Sequence, residues 1–170
     1  MKQLIGIMLL LIFTGMGLCD DRQPVLCTPE QIIIEKDLYR IDIEPIRIPY
    51  AEGWGPKSFK IRILNKSDLA IDMLWRETYY LRDSKVDGVF CSYTKKEQIE
   101  NETIVSKGLV QRDIAPESLL GTSITPMHYF RTGSWQYHSE FPIGKNGIKI
   151  SMLIDGKRII EEAEMIFTLK

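Results

Sequence analysis

His128 and His138 are the only two imidazoles in the chain. With a carboxylate such as Glu140 they would make a two-histidine, one-acid metal site, a donor set that suits several transition metals. Ser134, His138 and any of several acids can be drawn as a nucleophile, its base and an orienting group. Neither drawing is specific. The histidines stand ten positions apart in an irregular stretch, and serines and acids are plentiful. No Gly-rich phosphate loop, Gly-x-Ser-x-Gly elbow, His-Glu-x-x-His or Cys-x-x-Cys occurs. The expected role of both histidines is that of a surface or loop hydrogen-bonder, a common one for residues of intermediate burial. The sequence thus nominates no catalytic residue, no metal ligand and no cofactor.

Binding is better represented. Residues 127–141 (MHYFRTGSWQYHSEF) gather Tyr129, Phe130, Trp135, Tyr137 and Phe141 with Arg131 and both histidines. Tyr, Trp and Arg anchor interfaces because they bury large areas at modest entropic cost. Gly133 between Thr132 and Ser134 predicts a turn, with Trp135 near a hairpin tip. The loop from Tyr50 to Trp54, flanked by Gly53 and Gly55, is a second such place. The binding candidates are therefore Tyr50, Trp54, Arg131, Trp135, Tyr137 and His138. The competing reading is core packing, the commoner fate of aromatics.

The chain begins with Lys2, an apolar run from Leu4 to Phe13, and a small-residue exit ending Gly17-Leu18-Cys19 before Asp20-Asp21. This is the layout of a secretory signal peptide. The run is too short to span a bilayer, which takes about 20 apolar residues. The expected address is outside the cytoplasm, in a bacterial periplasm or cell envelope. Cys19, with Met16 three positions before it, resembles the lipidation cysteine of bacterial lipoproteins. That resemblance implies a lipid anchor on Cys19, with Asp20 as an inner-membrane retention signal. Ordinary cleavage after Gly17 or after Cys19, or an uncleaved signal anchor, are the alternatives.

Three cysteines, Cys19, Cys27 and Cys91, leave an odd count. Lipidation or removal of Cys19 would leave Cys27 and Cys91 to pair, and an oxidising compartment permits it. Such a bond closes a long loop and would add about 4 kcal/mol in the chain-entropy model. The alternative is two free thiols, with Cys91 in the core.

Lys plus Arg total 22 and Asp plus Glu 23; Lys2 is the only charge in residues 1–19, so the remainder carries 21 bases against 23 acids. That balance offers no electrostatic case for nucleic acid or for anionic membrane. Without residues 1–19 the chain has about 150 residues, one ordinary domain. Asn65-Lys66-Ser67 and Asn101-Glu102-Thr103 match the N-glycosylation pattern. The signal reads as bacterial, so we read both as chance. The mixed charge run from Lys95 to Glu102 reads as a solvated face.

The elements that must position these residues are strands. Ile32–Ile34 and the alternating Ile41 to Ile48 are two, with Pro45 predicting an edge or a bulge in the second. Phe59-x-Ile61-x-Ile63 alternates cleanly, and Ile71, Met73 and Trp75 share one face of the next strand. Arg82–Gly88 reads as a turn, Val89–Tyr93 as a short strand, and Ile114–Ser118 as an edge-strand exit. Residues 121–147 show the least regularity. The clearest signal is the C-terminal hairpin: Ile148, Ile150, Met152 and Ile154 alternate, Asp155-Gly156 forms a type I′ turn, and Ala163, Met165, Phe167 and Leu169 alternate back. Two-residue closure sets Met152 opposite Ile159 and Lys149 opposite Glu162. It also sets Ile150 opposite Glu161, a poor match that predicts a bulge.

Short strands separated by turns predict an all-β antiparallel sandwich with a C-terminal β-hairpin. Trp75 after a turn resembles the core tryptophan of the immunoglobulin-like architecture, although the cysteines do not bracket it. The expected organisation is a signal over 1–19, an N-terminal arm over 20–31 and one domain over 32–170. The expected function is an exported, non-catalytic binding module of the cell envelope. Its partner would be an envelope protein or polymer, and it would meet the membrane only through Cys19 or an uncleaved signal. The alternatives are a small exported hydrolase or metal-dependent enzyme using His128 and His138, or a secreted inhibitor or immunity-type protein.

Overall fold

Isoleucines at every second position line the interior of this protein. The computed structural model describes residues 24–47, 55–127 and 131–170, with the side chains of 122–127 and 131–137 outside the description. The expected signal over residues 1–19, including Cys19, and the candidate residues Tyr50, Trp54 and His128 lie outside the described residues. The strands are β1 (Val25–Thr28), β2 (Ile32–Glu35), β3 (Tyr39–Ile46), β4 (Ser58–Asn65), β5 (Ile71–Met73), β6 (Tyr79–Arg82) and β7 (Lys85–Ser92), then β8 (Glu102–Ile104), β9 (Leu109–Pro116), β10 (Leu120–Met127), β11 (Arg131–His138), β12 (Gly144–Ile154) and β13 (Lys157–Leu169). Short 3-10 turns cover Trp75–Glu77 and Glu117–Leu119.

Eleven of these strands form one curled antiparallel sheet in the order β1-β13-β12-β6-β7-β9-β4-β3-β2, with β5 joining β12 to β8. The curl turns on β7. Its first residues pair with β6, and Phe90–Ser92 pair with β9. Between them the register slips, so that Leu81 meets Val86 and Tyr80 meets Gly88. Asp87 is the extra residue, and Gly88 has a φ of 151°, a conformation that favours glycine. A bulge of this kind bends a strand and increases its twist. The stretch read from sequence as a turn is therefore the bend in a strand; the tight turn is shorter, at Asp83-Ser84, both with positive φ.

Ile41 and Ile43 of β3, Ile61 and Ile63 of β4, and Ile114 of β9 share one buried core with Ile71, Met73, Tyr80, Ile148, Ile150, Met152, Met165 and Phe167. Burying each such side chain is worth about 1.5–3 kcal/mol. Trp75 is core as expected, but it sits on the 3-10 turn after β5, where Nε1 donates to Glu102 Oε1 at 2.7 Å. Pro45 pairs with Phe59 inside the sheet. β2 reaches only as far as Ile43, so the position is locally an edge and no ladder bond is lost there. β9 lies between β7 and β4 and is not an edge strand.

The C-terminal hairpin forms in the expected register, with Lys149 Nζ 2.7 Å from Glu162 and with positive φ at Asp155 and Gly156. The bulge expected at Ile150–Glu161 is not present: the two residues pair without a slip. Glu161 tolerates the position because Tyr39 Oη donates to its carboxylate and Lys36 Nζ lies 3.7 Å away. An acid on an inner row thus ties β13 to the β2–β3 hairpin. The stretch read as an arm contains β1, which pairs with the end of β13, Val25 against Leu169.

One polar residue organises the loops at the end opposite this pairing. Asn65 is fully buried. Its Nδ2 donates to the carbonyls of Leu69, Ile104 and Val105 at 2.6, 3.2 and 3.0 Å, and its Oδ1 accepts from Ser67 N and Oγ. Truncation strands several buried groups at once. Asn65→Ala should lower unfolding free energy by about 3 kcal/mol, and Asn65→Asp by a comparable amount because a carboxylate cannot donate. Urea titration would check this; a loss below about 1 kcal/mol in both would show that the clamp is not structural.

Candidate functional site

β10 and β11 stand apart from the main sheet and pair only with each other among the described residues. Their register runs from Leu120 opposite His138 to Met127 opposite Arg131. Thr132, Gly133 and Ser134 are therefore paired strand residues and not the turn expected there. Gly133 lies within β11 opposite Thr125, and Trp135 lies opposite Ser123, well away from the tip. Residues 121–147, irregular by sequence, are in large part this two-stranded ribbon and the start of β12. Arg131, Trp135 and Tyr137 are on the β11 backbone; their side chains lie outside the described residues.

The root of the ribbon is fully described. Ser139 N donates to Leu119 O and Phe141 N to Pro56 O, at 2.9 and 2.8 Å. Phe141, counted from sequence among the binding aromatics, is core. It is 3% exposed and stacks on Phe59 at 4.5 Å and on Phe167 at 5.4 Å. Glu140 Oε2 accepts from Gly55 N at 2.9 Å. A Cβ on Gly55 would stand 3.1 Å from that oxygen and 3.4 Å from Val25 Cγ2. So the start of β1, Gly55-Pro56 and the foot of the ribbon converge on one point. The two segments singled out by their aromatics spring from neighbouring positions.

His138 marks this root. It is 4% exposed, and its ring stacks on Tyr93 at 5.3 Å and 27°. Neither ring nitrogen has a hydrogen-bond partner among the described residues. Burial lowers its pKa from the ordinary 6.5; Lys96 and Lys57 push the same way, and the Tyr93 backbone opposes them. The ring is held neutral and no described acid bonds it, so it lacks the orienting partner of a general base. No group of three or more His, Cys, Asp or Glu that could hold a metal exists among the described residues.

Cys27 and Cys91, the expected disulfide pair, are free, buried thiols in this structure. Cys27 belongs to the core, where its thiol contacts Pro29 O at 3.2 Å and Met165 Sδ at 3.6 Å. Cys91 follows the core residue Phe90 on β7, so it points to the reverse face of the sheet, toward Ala115 O at 3.4 Å. Burial pushes Cys27 up to about 11 and raises Cys91 as well, so neither is a ready thiolate.

A groove of about 560 Å³ went unnoticed in the sequence. It lies between the 92–100 turn and β9 and is lined by Lys95, Glu97, Gln98, Glu100, Gln111 and Asp113, among others. Asp113 Oδ1 is buried there without a described partner. The charge run had read as a solvated face because the pairing of Ser92 with Ile114, which folds the run over β9, leaves no local trace. A second groove, about 410 Å³, lies beside Cys27 between Glu30, Glu44, Arg47 and Lys60.

Comparison with known proteins assigns the chain to no family: no family model, curated protein or solved structure matches it.

The buried imidazole has a pH signature. The folded state disfavours the imidazolium, so stability is full above about pH 6.5 and falls as the unfolded chain takes up a proton below it. The loss is complete below the depressed folded value. Melting temperature should drop more between about pH 7.5 and about 5.5 in the wild type than in His138→Phe, which keeps the stack without titrating. Equal drops in the two proteins would show that the ring is not held neutral.

Proposed function

We propose that this is an exported protein of the bacterial cell envelope, a non-catalytic binding module that presents the β10–β11 ribbon and the Tyr50–Trp54 loop to an envelope protein or polymer. The observation that carries the reading is the isolation of the ribbon. Two eight-residue strands have left the sheet and pair with nothing else among the described residues. A ribbon of this kind contributes little to a core, yet its sequence holds Arg131, Trp135 and Tyr137, residue types that anchor interfaces. The adjacent foot of the second aromatic loop supports one combined surface.

The export signal supports the location, and Cys19 supports a lipid anchor. Four residues separate Cys19 from Pro24-Val25, so Cys19 lies at most about 20 Å from Val25 along an extended chain. Because Val25 lies at the ribbon root, an anchored protein would hold that root near the membrane. An immunoglobulin-like sandwich is our reading of the architecture. In its favour, both arms of the curled sheet feed one core, and β1 and β2, consecutive in sequence, are the opposite edges of the sheet.

Mass spectrometry of the membrane fraction should find diacylglycerol on Cys19 at the mature N-terminus. A soluble product starting at Leu18 or Asp20 would end the anchoring reading. Trp135→Ala and Trp54→Ala should each weaken capture of the partner from envelope extract, by about 2 kcal/mol where the side chain is a hot spot. Their melting temperatures should stay close to wild type. A core aromatic would instead cost about 3–5 kcal/mol of stability, and that outcome in both variants would sink the proposed surface.

A further inference from the structure

We propose that two copies of this chain associate through the open edge of β13, pairing antiparallel about Ile160. β13 is thirteen residues long and β1 only four. β1 covers Ile166–Leu169, so Lys157–Met165 have β12 on one side and no described strand on the other. An uncovered edge of this length is a template for another strand.

The direction of the free backbone groups follows from one hydrogen bond. Lys170 N donates to Pro24 O at 2.9 Å, on the β1 side. Alternation by two then turns the N–H and C=O of the even-numbered residues toward that edge. β13 keeps continuous register with β12, so the same parity holds back to the hairpin turn. Arg158, Ile160, Glu162 and Glu164 therefore present unpaired donors and acceptors along the open stretch.

Charge selects the occupant. Edges are commonly protected by charged side chains, but here the signs are segregated. Lys157 and Arg158 lie at one end and Glu162 and Glu164 at the other, with Ile160 between them at 48% exposure. A twofold axis at Ile160 sets Ile160 against itself and Arg158 against Glu162 of the second copy, twice by symmetry. Shifting the axis to Glu161 would oppose two acids and set Ile160 against Glu162. On the inner row Glu161 already has Tyr39 and Lys36 as partners, so that row needs nothing from the second copy. Arg158 and Glu162 pair within the chain to Glu77 and Lys149, and all four side chains remain partly exposed. The new contacts would extend these surface pairs into a network.

Cross-linking tests the register. A hydrogen-bonded antiparallel pair has Cα atoms about 5.5 Å apart, within reach of a disulfide. Mild oxidation of the full-length protein should give a covalent dimer from Ile160→Cys and none from Val86→Cys, a similarly exposed site at 58% away from this edge. In sedimentation the wild type should be dimeric at its highest soluble concentration. Ile160→Pro, which removes the central N–H without touching the β12 ladder, should be monomeric. A monomeric wild type, or equal cross-linking of the two cysteine variants, overturns the proposal. If Ile160→Pro fails to fold, the cysteine comparison decides alone.

Discussion

Phe141 is the residue on which fold and site both depend. Its ring lies against Phe59 of one arm of the curled sheet and against Phe167 and Tyr80 of the other. Phe90, on the strand where the sheet turns, meets Phe59 and Tyr80 edge-on. A curled sheet closes only if something fills the space between its arms, and these five rings do so at the end where the chain enters. Phe141 also follows directly on the ribbon, three residues after His138. The packing that closes the core thus sets where the ribbon leaves it.

The same end shows how polar groups are handled when a loop must be held against a core. Phe141 N bonds Pro56 O, Glu140 bonds Gly55 N, and Asn146 accepts from Tyr80 Oη while donating to Pro142 O and Gly144 O. Each is a buried or half-buried group with a named partner, as low-dielectric surroundings require. The two ring nitrogens of His138 are buried without a described side-chain partner, as are Ser58 Oγ and Asp113 Oδ1. Burial lowers the pKa of His138, which ties the ribbon root to pH.

Where one strand's pattern carried its own evidence, the sequence was a good guide. The hairpin of β12 and β13 was legible because strict alternation and Asp155-Gly156 agree. The isoleucine rows of β3 and β4 were legible for the same reason. Glycine misled twice. Gly88 suggested a turn and is a bulge in β7; Gly133 suggested a hairpin tip and lies within β11. Local composition cannot distinguish a glycine that reverses the chain from one that bends a strand. The Cys27–Cys91 pairing was argued from count and compartment alone. Which face of the sheet each thiol occupies depends on register, and register depends on partners far along the chain. The aromatic segment divides into Phe141 in the core and a separate ribbon, a division that needed the pairing of β10 with β11.

The central claim is that the ribbon is built for contact and is dispensable to the fold. Replacing residues 121–137 with a short Gly-Ser linker between Leu120 and His138 tests it directly. The account predicts a shortened protein that melts cooperatively near the wild-type temperature and no longer captures its envelope partner. Loss of cooperative folding, or undiminished capture, would contradict it.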